Sequence, residues 1–334
     1  MEYHRASDLL DKARVARNGA ILLARGVVCD AHAKRPVRVV THAHWDHIGG
    51  LERSITWCDA ILMTPATRSI LGALRSKGSL SSPKVHTLDY GETFSYRGET
   101  VTFSQAGHIP GSAQVAVQTE DGTMVTYTGD FKLHRASPQL TDVLVMEATY
   151  GNPAQVREFE QDVEAELVSL IERSAEKSPV FLLGYHGKLQ EVLELLSNAR
   201  MSLPVFLQER IYMVTRALER HGFHFGHYGL ATKETLGGKE PFVALFHMRA
   251  RKGLPEKGVK VILSGWEFES PIKATGPDTY VVALSDHSDF EGLMEYVEKS
   301  KPKFVITDGY RVGDAEALAA QIGTRLGIPA QAMP

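Results

Sequence analysis

His42, His44, Asp46 and His47 place three imidazoles and a carboxylate within six consecutive positions, directly after the β-branched run that ends at Thr41. Imidazole nitrogens and carboxylate oxygens are the donor set of zinc, iron or manganese centres, and a catalytic centre keeps one coordination position open. Alternate residues of a strand share a face, so a strand feeding a sharp turn aims His42 and His44 to one side and leaves Asp46 and His47 to aim elsewhere. Two neighbouring cations fit that split better than one. The chain contains 14 histidines, so isolated ones carry little weight, but four ligand-type residues in six recur nowhere else in it.

A two-cation centre needs further donors, and these are expected at strand ends and turns like the first set. His108 lies in Ala106-Gly107-His108-Ile109-Pro110-Gly111-Ser112, just past a strand ending at Phe103. Asp130 follows the strand Met124-Val125-Thr126-Tyr127. His287 sits between a strand at 280–284 and a helix beginning near 289. All three share one context, a strand, then Gly or Ser, then the ligand. His221, His224 and His227 are set aside, since they lie in a Gly- and Phe-rich loop with no acid nearby.

The elements that must position these donors fall into two patterns. Residues 19–151 are dominated by short β-type runs, interrupted by one helix from Ala66 to Arg75, and read as mainly antiparallel sheet. Within them Glu120-Asp121-Gly122 signals a hairpin, because Asp-Gly supplies the positive φ of a tight turn. From 152 onward helices and strands alternate: helix 155–177, strand 180–184, helix 188–199, strand 204–208, helix 210–220. Strands follow at 242–247, 259–264 and 280–284, then helix 289–300, strand 303–307 and helix 314–325. Such alternation implies a parallel sheet.

With 334 residues and 43% hydrophobic content the chain can bury a large core. No run reaches the roughly 18 apolar residues that span a bilayer, and the polar N-terminal segment is unlike a signal peptide, so a soluble cytoplasmic protein without a membrane partner is expected. Cys29 and Cys58 are far apart and expected as buried reduced thiols, which excludes a disulfide framework and a cysteine-based zinc module. A net charge of −3 gives no global attraction to nucleic acid, so any such substrate is held by local basic patches or by cations.

The segments THAHWDHIGG, AGHIPGS, YTGDF and ALSDHSDF resemble the successive metal motifs of the metallo-β-lactamase fold in its β-CASP nuclease branch. Asp30 resembles the family's first acidic motif, whose carboxylate supports the metal loop. The segment Met146 to Gly151 is similar to the acidic motif that opens the β-CASP insertion, and Gly184 to Glu191 looks like a strand-to-helix turn inside it. The resemblance implies an α/β protein: a metallo-β-lactamase αββα sandwich from 1–151 plus 262–334, with an inserted β-CASP-like α/β cap at 152–261. It further implies that His42, His44 and His108 hold one cation, that Asp46, His47 and His287 hold another, and that Asp130 bridges them. Zinc is the expected occupant, with Mn2+ or Mg2+ as alternatives.

Leu263-Ser264-Gly265-Trp266 and the Tyr280–Phe290 segment are similar to segments of the Artemis and DNA crosslink-repair branch, as opposed to the RNA-cutting branch with ribonuclease J. The implied activity is a DNA 5′-exonuclease in repair or processing, with nucleic acid as partner and DNA favoured over RNA. An RNA-processing endo- or exonuclease is the alternative, and a small-molecule lactonase or thioesterase a second, since fold alone does not set function. Asp46, Glu147 and His247 are the candidate catalytic residues: Glu147 to orient a ligating imidazole, His247 to protonate the leaving oxygen or contact the scissile phosphate. Arg249, Arg251 and Lys252, in a basic hairpin after His247, and Lys132 after the Asp130 turn are candidate phosphate contacts.

Overall fold

In the strand Glu99–Gln105 every second side chain, Glu99, Val101 and Phe103, is buried, as the pleat of a half-covered strand requires. The computed structural model, which describes residues 9–75, 79–238 and 240–334, places this strand in a seven-stranded sheet. Its strands run in the order Ala330–Met333, Phe304–Asp308, Val143–Met146, Met124–Tyr127, Ala113–Gln118, Glu99–Gln105, Thr93–Tyr96. A six-stranded sheet follows chain order: Ala13–Val15, Ile21–Leu23, Val27–Cys29, Val37–Val39, Ala60–Met63, Val85–Thr87. The two share one core, in which Val15, Leu23, Val39 and Leu62 of the smaller sheet meet Phe103, Val115, Tyr127 and Ile306 of the larger. The far face of the larger sheet, at Leu144, Met146 and Val305, is covered by the helices Phe290–Ser300 and Ala315–Gln321.

The expected antiparallel sheet is in fact mixed. Val27–Cys29, Val37–Val39, Ala60–Met63 and Val85–Thr87 pair in parallel; a loop makes the first crossover, and the helices Leu51–Trp57 and Pro65–Leu74 lie in the next two. The seven-residue helix Leu51–Trp57 was not foreseen, being too short to display a helical period. The Asp121-Gly122 hairpin is present: Gly122 has φ +82 and Met124 faces Gln118 across antiparallel strands.

This first unit ends at Val156 and resumes at His287, and a second unit runs from Arg157 to Asp286. In it a seven-stranded sheet has the order Gly229–Leu230, Val205–Leu207, Val243–His247, Val180–Gly184, Val259–Leu263, Thr279–Val282, Ile272–Gly276, parallel apart from the last strand. The alternating pattern thus yields the parallel sheet it implied. The sequence reading closed the inserted module at 261. The structure carries it on to 286, because Thr279–Val282 pairs with Val259–Leu263 and Ile272–Gly276 pairs with Thr279–Val282. Nor is 248–258 a hairpin: its flanking strands are parallel and separated by Val180–Gly184, and Met248–Gly253 forms a 3-10 turn.

Phe103, 1% exposed, fills the space between the two sheets of the first unit. Phe103→Ala is expected to lower the unfolding free energy by about 3–5 kcal/mol, read as a shift of the denaturant midpoint; a shift below about 1 kcal/mol would mean that the sheets close around the gap.

Candidate metal centre

The centre is built from a buried carboxylate outward. Asp30 follows the strand Val27–Cys29 with φ +66, a left-handed conformation that Asp tolerates better than most side chains. Its Oδ1 accepts from the Thr41 N–H at 3.0 Å and from Thr41 Oγ1 at 2.8 Å, and its Oδ2 from His47 Nδ1 at 2.8 Å. The fully buried Arg38 donates to the Asp30 carbonyl and to Ser54 Oγ. Because the Thr41 hydroxyl hydrogen goes to Asp30, its oxygen accepts from His42 Nδ1, 3.1 Å away. His42 is thereby held as the Nδ1–H tautomer with the Nε2 lone pair turned to the interior, and Asp30 directly holds the Nδ1 proton of His47.

His42, His44, His108 and Asp130 each bring one ligand atom into a group that lies within 4.8 Å. His44 Nδ1 and His108 Nε2 are 3.0 Å apart, and Asp130 Oδ2 is 3.7 Å from the Nε2 atoms of both His42 and His108. His108 and Asp130 each follow a glycine of positive φ, Gly107 and Gly129, which lets the chain turn sharply off a strand into the site. His42 Nε2 is buried without a hydrogen-bond partner, a costly arrangement that a cation in the group would relieve. Burial, then the neighbouring His47, keeps the His42 imidazole well below its ordinary pKa, so it stays neutral and able to coordinate. Three imidazoles and a carboxylate fit a divalent cation such as zinc.

A second buried carboxylate organises the other side. Glu147 Oε1 accepts from the Phe131 N–H at 2.6 Å, fixing the turn that carries Asp130. Its Oε2 accepts from His287 Nδ1 at 2.7 Å and from Thr149 Oγ1 at 2.5 Å. Burial pushes the Glu147 carboxyl up, and His287 pulls it back only in part.

The remaining expected residues distribute as follows. Asp46 and His47 sit on the 3-10 turn Trp45–His47; Asp46 Oδ2 lies 3.3 Å from His47 Nε2, and its side chain is 59% exposed. His47 Nε2 also lies 3.2 Å from Asp130 Oδ2, so Asp46 and Asp130 both meet His47, while among the described residues His287 does not join them in a ligand group. The His287 ring instead packs 4.5 Å from that of His108. Lys132 is buried rather than presented to solvent. His247, Arg249, Arg251 and Lys252 belong to the second unit; the last three are exposed, and His247 accepts from the Arg249 N–H and is held below its ordinary pKa by burial, Arg210 and Arg249. Sequence reasoning missed Thr41 and Thr149, which lock the carboxylates, and Arg311, whose Nε donates to His47 Nε2 at 3.1 Å. Arg311 follows the strand Phe304–Asp308 in a segment whose residue types match no ligand pattern.

Burial alone would raise the pKa of Asp30, but His47, Arg311 and the Thr41 N–H together hold it below the usual carboxylate range. The stability it contributes is therefore present above an unfolded pKa of about 3.9 and is lost as pH falls through the lower folded value. Asp30→Asn is expected to cost about 3–5 kcal/mol, as breaking a buried ion pair does, and to weaken metal binding about 10–100-fold. Acid unfolding of the two proteins should differ by this extra loss in the wild type; superimposable acid limbs would show that Asp30 is not ionised in the fold.

Comparison with known proteins places this geometry. Residues 39–197 match the family model of the metallo-beta-lactamase superfamily. A probable DNA ligase of Opitutus terrae is 29% identical over 304 residues, 87% of this chain but 28% of the ligase. An RNase J-like protein of Methanocaldococcus jannaschii is 25% identical, covering 82% of this chain and 81% of its own. The DNA cross-link repair protein SNM1 of Arabidopsis thaliana is 24% identical, covering 80% and 59%. A crystal structure of a protein of unknown function from Enterococcus faecalis V583 superposes with a TM-score of 0.61 at 18% identity, covering 86% of this chain and 79% of that one. The chain thus spans little more than a quarter of the first of these relatives and just under three fifths of the third. With the two packed sheets, the helical flanks and the four converging donors, these matches show that the chain carries a metallo-β-lactamase superfamily domain.

Proposed function

We propose that this chain is a metal-dependent phosphodiesterase that hydrolyses nucleic acid, with DNA as the preferred substrate and 5′-exonucleolytic cleavage in DNA repair or processing as its role. The observation that carries this reading is the convergence of His42, His44, His108 and Asp130 beside a buried Glu147–His287 pair. Zinc is the occupant that this donor set favours. A cation held there supplies Lewis-acid charge stabilisation and activates water at neutral pH, with no covalent enzyme intermediate.

The chain's own residues do the rest. Asp30 and Thr41 orient His42 and His47, with the proton of each held on Nδ1. Glu147 holds the proton of His287 on Nδ1, which leaves Nε2 with a lone pair for coordination or proton transfer. Asp130, held well below the ordinary carboxylate pKa by His47 and His42 against the effect of burial, keeps its negative charge beside the donors. In the second unit His247 and the exposed Arg249, Arg251 and Lys252 are proposed as contacts to a nucleic-acid phosphate. The relatives whose names refer to DNA support the preference for DNA, and the RNase J-like relative is the specific observation behind an RNA-processing alternative. No helix among the described residues is long and apolar enough to cross a membrane, in keeping with action on a nucleic acid in the cytoplasm.

The test is zinc- or manganese-loaded protein given end-labelled, 5′-phosphorylated DNA and matched RNA. Loss of label from DNA in the 5′ to 3′ direction is expected. Intact DNA with degraded RNA would move the chain to RNA processing, and turnover of a lactone or thioester without nuclease activity would replace both readings. His108→Ala should remove bound metal and cleavage together. Glu147→Gln, which cannot match a carboxylate as partner of the His287 N–H, should lower turnover about 10–100-fold with the fold intact; an unchanged rate would separate Glu147 from the reaction.

A further inference from the structure

Trp45 stands between His44 and Asp46 on the 3-10 turn of the metal loop, and 74% of it is exposed. An indole left in water adds nothing to the core, and single exposed apolar residues are common on any protein surface. What sets Trp45 apart is that its backbone is fixed on both sides. One step before it, His44 Nδ1 meets His108 Nε2 at 3.0 Å; two steps after it, His47 Nδ1 meets Asp30 Oδ2 at 2.8 Å. The turn itself is closed by the His47 N–H on the His44 carbonyl at 3.2 Å and by the Ile48 N–H on the Trp45 carbonyl at 3.4 Å. The Trp45 Cα therefore lies one chain step, about 3.8 Å, from that of a residue in the ligand group.

The ring is held as well. Arg75, just past the helix Pro65–Leu74, places its guanidinium over the Trp45 ring, 5.9 Å from the centroid. A cation over an aromatic face is attracted by the ring quadrupole, so Arg75 backs the indole while most of its surface stays open. An aromatic ring fixed from one side and open on the other is a surface on which an unpaired nucleobase can stack, since every base has a π-face. Trp57 makes the contrast. It is 58% exposed with Lys34 Nζ 5.2 Å from its ring centroid, but it ends the helix Leu51–Trp57 and is flanked by no ligand.

We propose that Trp45 is a positioning residue: its indole, backed by Arg75, is the platform for the nucleobase next to the phosphate held at the cation. The metal loop then registers the strand as well as holding the metal. This rests on the nucleic-acid reading of the centre. Stacking reads a π-face and not a sugar, so the platform serves DNA and RNA alike and takes a strand whose end is unpaired.

Binding and turnover test it separately. In a Trp57→Phe/Trp266→Phe protein Trp45 is the last of three tryptophans. Its fluorescence should be quenched by a 5′-phosphorylated, phosphorothioate-linked single strand, which resists cutting, and far less when the strand carries abasic residues near its 5′ end. With the metal-loaded full chain, Trp45→Ala should raise KM about 5–150-fold, the range of one base stacked on one ring, with kcat and bound metal unchanged. Trp45→Tyr should recover most of that loss. One abasic position in the substrate should cost the wild type a similar factor and leave Trp45→Ala indifferent. Unquenched fluorescence, no abasic position that matters to the wild type, an equal abasic loss in Trp45→Ala, or Trp45→Tyr no better than Trp45→Ala would each overturn the platform. Should Trp45→Ala shed its metal, the fluorescence and the wild-type abasic scan decide alone. Quenching that depends on the base, without cleavage of DNA or RNA, would keep the platform and remove the nuclease reading; cleavage indifferent to Trp45 and to abasic positions would do the reverse.

Discussion

The centre depends on one buried ion, the Asp30 carboxylate. An ionised carboxylate is expensive to remove from water unless its oxygens are filled and opposite charge is near. Asp30 meets both conditions with groups that belong to the metal loop: the Thr41 amide and hydroxyl on one oxygen, His47 on the other, and the Arg311 guanidinium close by. The same contacts that stabilise the charge therefore fix the Nδ1 protons of two imidazoles. A loop of three histidines, free to rotate in an exposed turn, becomes a set of lone pairs with assigned directions.

Glu147 repeats the device at the other end of the site. Asp30 spends one oxygen on a backbone N–H and one on an imidazole, and so does Glu147, with Phe131 and His287 in the roles of Thr41 and His47. Both carboxylates stand at or just beyond the ends of core strands, Val27–Cys29 and Val143–Met146, whose side chains pack between the sheets or under the helices. The precision of the site is thus borrowed from the core: turns carry the ligands, but carboxylates rooted in the sheets decide where the turns point.

Much of this was legible in the sequence, and the reasons it was differ from residue to residue. His42, His44, His108 and Asp130 were readable because ligand chemistry restricts residue type and because each follows a strand. Asp30 and Glu147 were readable only through family resemblance, since a lone acid at a strand end has no spacing signature. Arg311 and Asp308 left no trace, because a buried ion pair that meets the His47 imidazole some 260 positions earlier in the chain is set by sheet order and not by any local pattern. The second unit's limit was misplaced for a related reason. A strand such as Thr279–Val282 looks the same in either sheet, and only its pairing with Val259–Leu263 assigns it.

Chain order adds a consequence for how the protein comes to be made. His42, His44, His108 and Asp130 all precede residue 131, and the strands that carry them form contiguous neighbours in the two sheets up to Val143–Met146. The strand that pairs with the open edge of Val143–Met146 is Phe304–Asp308, and the entire second unit is synthesised in between. A nascent chain therefore possesses the ligands long before it possesses Arg311, His287 or the strand that closes the sheet. During that interval the unpaired edge is a template for mispairing, and a cation captured early would stand guard over a half-built fold whose loops have not yet been disciplined by their last partners.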